Sequence, residues 1–237
     1  MLPAAVTIPG FSGVAHCSSG FLPNMMHLTF NAGNFKRLCN KLAAGDPQLK
    51  AIIQQYGHPP MWTRPATFQT LILFILEQQV SLAAAYAAFK KLKEKTGYVT
   101  PSKILALSDE ELRSCYFSRQ KIVYARELAN AVIKKQLVLK QLTHQPGEEV
   151  RVQLKKIKGI GDWTVDVYLM HSLQRTDLFP LGDIALVNSL KETKQLHKQV
   201  TKEEMLAVAE AWRPYRTIAA MILWHAYIQK RGIKLQG

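Results

Sequence analysis

LKKIKGIGDWTVDVYLMHSLQRTDLFPLGD, residues 154–183, is the stretch around which the rest of the chain can be ordered. Its apolar residues Leu154 and Ile157 fall at helical spacing, the run stops at Gly159-Ile160-Gly161, and it restarts at once with Trp163, Val165, Val167 and Leu169. The pattern predicts two helices joined by a hairpin so short that it must turn on unusual backbone angles, which glycine adopts at no steric cost. Gly159 and Gly161 both fit that need. The amides that lead into the second helix, through Thr164, have no partner inside it and form an anion site suited to a phosphate. Lys155, Lys156 and Lys158 bring positive charge beside it. Read alone, Gly-x-Gly between helices serves equally well as a helix C-cap.

Asp183 lies 20 residues beyond Trp163, behind the loop Phe179-Pro180-Leu181-Gly182 and ahead of the apolar run Ile184-Ala185-Leu186-Val187. That arrangement delivers a carboxylate to a helix start, where the free amides and the helix dipole stabilise the anion. Most aspartates in such a place are simple N-caps, so a catalytic role needs support from the rest of the chain.

A chain of 237 residues with 48% hydrophobic content can bury a sizeable core. No apolar run is long enough to span a membrane. The net charge of +14 favours a polyanionic partner, because Lys and Arg gain affinity by releasing counterions from phosphates. Cys17, Cys39 and Cys115 are far apart, match no metal spacing and argue against a disulfide framework. The histidines also lack metal spacing, so His58, His171 and His225 read as structural or solvated.

Residues 1–27 read as a flexible leader, rich in Pro, Gly, Ser and Ala and almost free of charge, with neither a secretory n-region nor the arginines of a transit peptide. Helical spacing begins near Asn34, and Asp46-Pro47 marks a second helix with a capping acid and Pro at its first position. Thr67 to Gln79 is apolar nearly all round and belongs in the middle of a bundle. Gln78 and Gln79 close it, and Ser81 can cap the next helix, whose end carries Lys90, Lys91, Lys93 and Lys95. Thr100-Pro101 opens a short helix, Ser108 to Glu111 is a capping box, and Ser118-Arg119-Gln120-Lys121 starts a long amphipathic helix. Beyond Asp183, Thr201 to Glu204 is another capping box, and a last helix is expected to begin at Pro214. No strand alternation is convincing anywhere, so the predicted fold class is all-α.

The hairpin, the Gly/Pro loop and its acid resemble the helix-hairpin-helix (HhH-GPD) DNA glycosylase superfamily, within it the 3-methyladenine DNA glycosylase II type. The likeness extends from about Phe30 to Arg231, through the DP-x-L and YG-x-PP-x-W-x-R segments of residues 46–64 and WRPYR at 212–216. It implies one glycosylase domain, residues 28–237, made of two helical subdomains with a cleft between them and the hairpin and Asp183 on one lip. It implies that Asp183 is catalytic, that Trp163 and Trp224 line the base pocket, and that DNA is held by Lys158, Gly159, Gly161 and Thr164 of the hairpin. Gln79 takes the position of the residue pushed into the duplex where the damaged nucleotide leaves, with Gln78 beside it. Arg119 or Lys121 would touch phosphate.

The chain departs from the family in three places. Gln79 stands where better-known relatives have an apolar wedge. A third pocket aromatic is replaced by Val167, with Tyr168 its neighbour and the substitute candidate. A usual glycine is missing around Cys115-Tyr116. The small amino-terminal β domain of the 3-methyladenine type is not expected, nor is an iron-sulfur cluster, which would need four clustered cysteines. No cofactor is required by the implied reaction, although carbonyls around Gly159 could bind a monovalent cation.

Cleaving a base from deoxyribose builds positive charge on the sugar, and a fixed carboxylate stabilises that transition state more than the ground state. The same carboxylate can orient or deprotonate the attacking water. An N-alkylated purine is cationic and gains from an indole face. Relatives that also cut the strand carry a lysine two residues after the second hairpin glycine, and here that slot is Trp163, so a monofunctional hydrolase is expected. The expected partner is double-stranded DNA containing alkylated bases, engaged by a monomer, in the cytoplasm and nucleoid of a bacterium or the nucleus of a eukaryote. The alternatives are a non-catalytic hairpin protein that recognises damage, or a glycosylase for hypoxanthine or ethenoadenine.

Overall fold

The computed structural model describes residues 28–233, so the leader expected over residues 1–27 lies outside the described residues. Among the described residues every regular element is helical, and one isolated antiparallel bridge joins Thr29 to Arg175. The helices are α1 (Phe35–Gly45), α2 (Pro47–Tyr56), α3 (Phe68–Glu77), α4 (Leu82–Thr96), α5 (Pro101–Ala106), α6 (Asp109–Ser114) and α7 (Arg119–Ile133). They continue with α8 (Leu139–Leu142), α9 (Gly147–Lys155), α10 (Asp162–His171), α11 (Ile184–Lys194), α12 (Lys202–Glu210) and α13 (Arg216–Lys230).

The caps read from the sequence are present. Asp46 accepts from the Gln48 and Leu49 amides, Ser81 from Ala84, and Ser108 and Thr201 form complete capping boxes. The short α8 was not expected, since four residues give too little periodicity to read. Pro214 does not open the last helix as expected: it lies in a turn closed by the Tyr215 amide on the Trp212 carbonyl, with a cis Arg213-Pro214 peptide, and α13 starts at Arg216.

Two clusters of buried side chains organise the molecule. The first is built from α3 to α10, a continuous segment from Phe68 to Leu173, with the all-apolar α3 inside it. Each Leu, Ile or Phe that α3 buries contributes roughly 1.5–3 kcal/mol. The second is discontinuous: α1 and α2 pack on α11, α12 and α13. Asp46 fastens it, because its Oδ2 accepts from the Trp212 indole at 2.8 Å and from Lys194 Nζ at 2.6 Å. Burial alone would raise this carboxyl, but the bonds from Lys194, Trp212 and Leu49 outweigh it and hold it below the usual carboxylate value. The loop after α10 crosses between the clusters, and Leu178 packs against both.

Candidate active site

At the hairpin between α9 and α10, Gly159 has φ +94°, and a Cβ built there would lie 2.0 Å from the Tyr124 ring. Only glycine fits. Gly161 differs from the expectation: its φ of −99° and ψ of −177° are extended backbone open to any residue, and a Cβ there meets nothing within 4 Å. Among the described residues no side chain caps α10, so the amides of its first turn stay open to an external acceptor. The three hairpin lysines are not equivalent. Lys155 is spent on Asp162 at 2.8 Å, while Lys156 and Lys158 are exposed and make no ion pair among the described residues. Arg151 bonds both Asp162 and the half-buried Asp166, whose carboxyl is pushed up by burial despite that partner.

Asp183 stands at the N-cap of α11, in a turn closed by its own amide on the Pro180 carbonyl. Its Oδ1 accepts from the Leu186 amide at 2.8 Å and from Trp224 Nε1 at 2.9 Å; its Oδ2 accepts from Trp163 Nε1 at 3.3 Å. Trp163 packs on the first cluster and Trp224 belongs to the second, so the carboxylate sits where the two meet. Two acceptor sites are filled on Oδ1 and one, by a long bond, on Oδ2, which leaves Oδ2 free to face a sugar or a water.

Behind Trp224 lies His171, its ring stacked on the indole at 5.6 Å and 28°. His171 Nδ1 is 2.7 Å from the Trp62 carbonyl, an acceptor, so the proton is on Nδ1. Burial, with Arg64 nearby, lowers this imidazole to about 4, so it is neutral at physiological pH. The Arg64 amide in turn donates to the His171 carbonyl, and the Arg64 guanidinium pairs bidentately with Glu77 at 2.7 and 2.8 Å over the Phe74 ring. His171, one turn beyond Val167 and two beyond Trp163, has the structural role read from the sequence, whereas Arg64 was not singled out there.

Tyr168, the substitute pocket aromatic, does not line the mouth. It is fully buried in the first cluster with no partner for its hydroxyl among the described residues, and burial pushes that hydroxyl's pKa up. One step along a helix turns the side chain by about 100°, which carries Tyr168 into the core while Trp163 meets Asp183. Trp212 is a core residue.

The turn between α3 and α4 divides the two glutamines. Gln79 is exposed with φ +59°, a left-handed position that throws its side chain outward at the tip. Gln78 faces the protein instead: its Nε2 donates to the Gly159 carbonyl at 2.8 Å and to Thr164 Oγ1 at 2.9 Å. Both side chains assigned to DNA, Gln78 and Thr164, are therefore engaged with each other, and Thr164 is buried. The Gly159 carbonyl, among those offered to a cation, accepts one bond from the same amide. Lys121 donates to the Leu76 carbonyl at 2.6 Å and caps α3, whereas Arg119 is exposed with no bond among the described residues.

The helical fold that carries this glycine-pinched hairpin and this acid is shared with known proteins. Residues 72–214 match the model of the HhH-GPD superfamily base excision DNA repair proteins, and the chain belongs to that family. DNA-3-methyladenine glycosylase 1 of Schizosaccharomyces pombe is 34% identical over 84% of this chain and 84% of its own length. The alkylbase DNA glycosidase-like protein mag2 of the same yeast is 30% identical over 81% of this chain and 93% of its own. A longer Bacillus subtilis relative is 33% identical, and the aligned part spans 65% of it. Among solved structures, the S. pombe 3-methyladenine DNA glycosylase in complex with abasic DNA superposes with a TM-score of 0.74 at 30% identity, covering 79% of this chain and 95% of that one. Among the described residues no helix is long and apolar enough to cross a membrane, and no group of His, Cys, Asp and Glu could hold a metal ion.

Proposed function

We propose that this protein is a monofunctional DNA glycosylase that hydrolyses alkylated purines, of the 3-methyladenine and 7-methylguanine type, from double-stranded DNA and leaves an abasic site. The observation that carries the reading is the Asp183 carboxylate held between the Trp163 and Trp224 indoles, with Oδ2 left open. As the glycosidic bond lengthens, positive charge grows on the deoxyribose, and the fixed anion opposes it at the moment it forms. Oδ2 also accepts a hydrogen bond from the water that completes the hydrolysis. The indole N–H groups hold the acid in place, and an indole face beside the leaving base favours a cationic lesion.

A base inside a duplex must leave the stack to reach Asp183, at a cost of a few kcal/mol. The exposed Gln79 at the tip of its turn suits the space left behind, and a glutamine can hydrogen-bond the orphaned partner base. Lys156, Lys158, Arg119 and the open amides of α10 supply phosphate contacts. Trp163 fills the slot of a Schiff-base lysine, so no covalent sugar intermediate forms, and the protein acts as a monomer without a cofactor.

The test is release of free base from methylated duplex by wild type and Asp183→Asn, with products identified by chromatography. Wild type should release methylpurines, and the variant should bind DNA but lose activity by about a thousandfold or more. Release of no methylated base by wild type, with DNA binding intact, would leave damage recognition without catalysis or a neutral lesion such as hypoxanthine.

A further inference from the structure

His171 spends only one of its two ring nitrogens on the fold. Nδ1 donates to the Trp62 carbonyl at 2.7 Å, which leaves Nε2 of the neutral ring with a lone pair and no hydrogen. Nε2 has no partner among the described residues, yet it is not one of the unpaired polar atoms sealed in the interior; the side chain is half-buried and keeps an open edge.

That edge belongs to the cleft. The ring stacks on the Trp224 indole, whose N–H meets Asp183 Oδ1. Asp183 is near enough for its charge to favour the protonated imidazole, although burial outweighs it and keeps the ring neutral. The two ring nitrogens diverge, so with Nδ1 turned to the segment between α2 and α3, Nε2 turns away from it.

A neutral acceptor at the back of a pocket for cationic bases can read one property of them. Alkylation of a ring nitrogen puts positive charge on a purine and makes its remaining N–H groups stronger donors. 3-Methyladenine keeps an exocyclic amino group, and 7-methylguanine keeps an amino group and a ring N–H. Ethenoadenine, its amino nitrogen closed into an extra ring, presents acceptors alone. A site that holds out an acceptor is left unpaired by such a base, and it discriminates on that account.

We infer that His171 is a specificity residue: its Nε2 accepts a hydrogen bond from an N–H of the flipped base and favours alkylated purines that keep a donor over lesions that carry none. The inference rests on the reading of the Asp183 cleft as a pocket for alkylated purines. One ring thus serves the fold through Nδ1 and the substrate through Nε2.

The test is single-turnover release of 3-methyladenine from methylated duplex and of ethenoadenine from a duplex carrying it, with melting temperatures at neutral pH confirming that each variant folds. His171→Asn keeps a donor for the Trp62 carbonyl, His171→Phe keeps a ring on Trp224, and His171→Gln keeps an acceptor where Nε2 stood. His171→Asn and His171→Phe should release 3-methyladenine about tenfold more slowly or worse, His171→Gln should stay within about threefold of wild type, and ethenoadenine release should not fall in any of them. Equal slowing of both bases, or a rate kept by His171→Phe and lost by His171→Gln, would overturn the inference and leave the ring a support for Trp224. Unchanged release of 3-methyladenine by His171→Asn would overturn it as well. If wild type itself releases no 3-methyladenine, the reading of the cleft falls first and the inference with it.

Discussion

Trp224→Phe keeps an aromatic face beside Asp183 and removes the N–H that meets Oδ1 at 2.9 Å. A hydrogen bond to an ionised group contributes about 1.5–3 kcal/mol, and its loss leaves the carboxylate less firmly aimed, so single-turnover base release should slow about tenfold or more. Substrate affinity should change less. A variant that slows nothing would show that the indole serves only as a wall. At this scale the acid was legible in the sequence, because a Pro/Gly loop ahead of an apolar run is a local signal. The second and third bonds to it were not, since they come from Trp163 and Trp224, 20 and 41 residues away. Tyr168 was misread for a related reason: α10 is apolar on several sides, so hydrophobicity alone does not say which side chain turns to the cleft.

Among the elements, the hairpin and the Gln79 turn form a single unit. Gln78 ties them, and the exposed Gln79 is aimed by a residue that never leaves the protein. Gly159→Ala should be severe, because a methyl group would enter the Tyr124 ring at a φ that also disfavours it. Expected losses are about 3 kcal/mol or more of stability, read by urea denaturation, together with weaker DNA binding. Gly161→Ala should leave stability near wild type, since its backbone is extended and its surroundings open, and a comparison of the two midpoints checks both statements. Two glycines two residues apart look alike in a sequence. Their difference lies in φ and in the approach of Tyr124 from a distant helix, neither of which is written locally. The caps were legible for the opposite reason, since an N-cap acts on amides two or three residues away.

On the scale of the whole molecule, His171 joins three parts: α10 of the first cluster, Trp224 of the second, and the segment between α2 and α3 through the Trp62 carbonyl. Its pKa falls from about 6.5 in the free residue to about 4 in the fold, so between these values the unfolded chain holds a proton that the folded one does not. Stability is therefore full above about pH 6.5 and declines as the pH drops toward 4. Melting temperatures taken between pH 7 and pH 4 should fall along this course, and His171→Phe should flatten that part of the curve; an unaltered curve would assign the acid sensitivity to other groups. The two-lobed architecture followed from the sequence only through its resemblance to a family, because pairing α1 and α2 with α11 to α13 is a long-range choice that no local pattern encodes. That pairing has a consequence for the order of events at the ribosome. The first cluster is complete once residue 173 has emerged, but the second waits for α13, which also brings Trp224. The newborn chain thus holds an ordered hairpin lobe before its acid has its second indole, and the acid is fully held only after α13 has emerged.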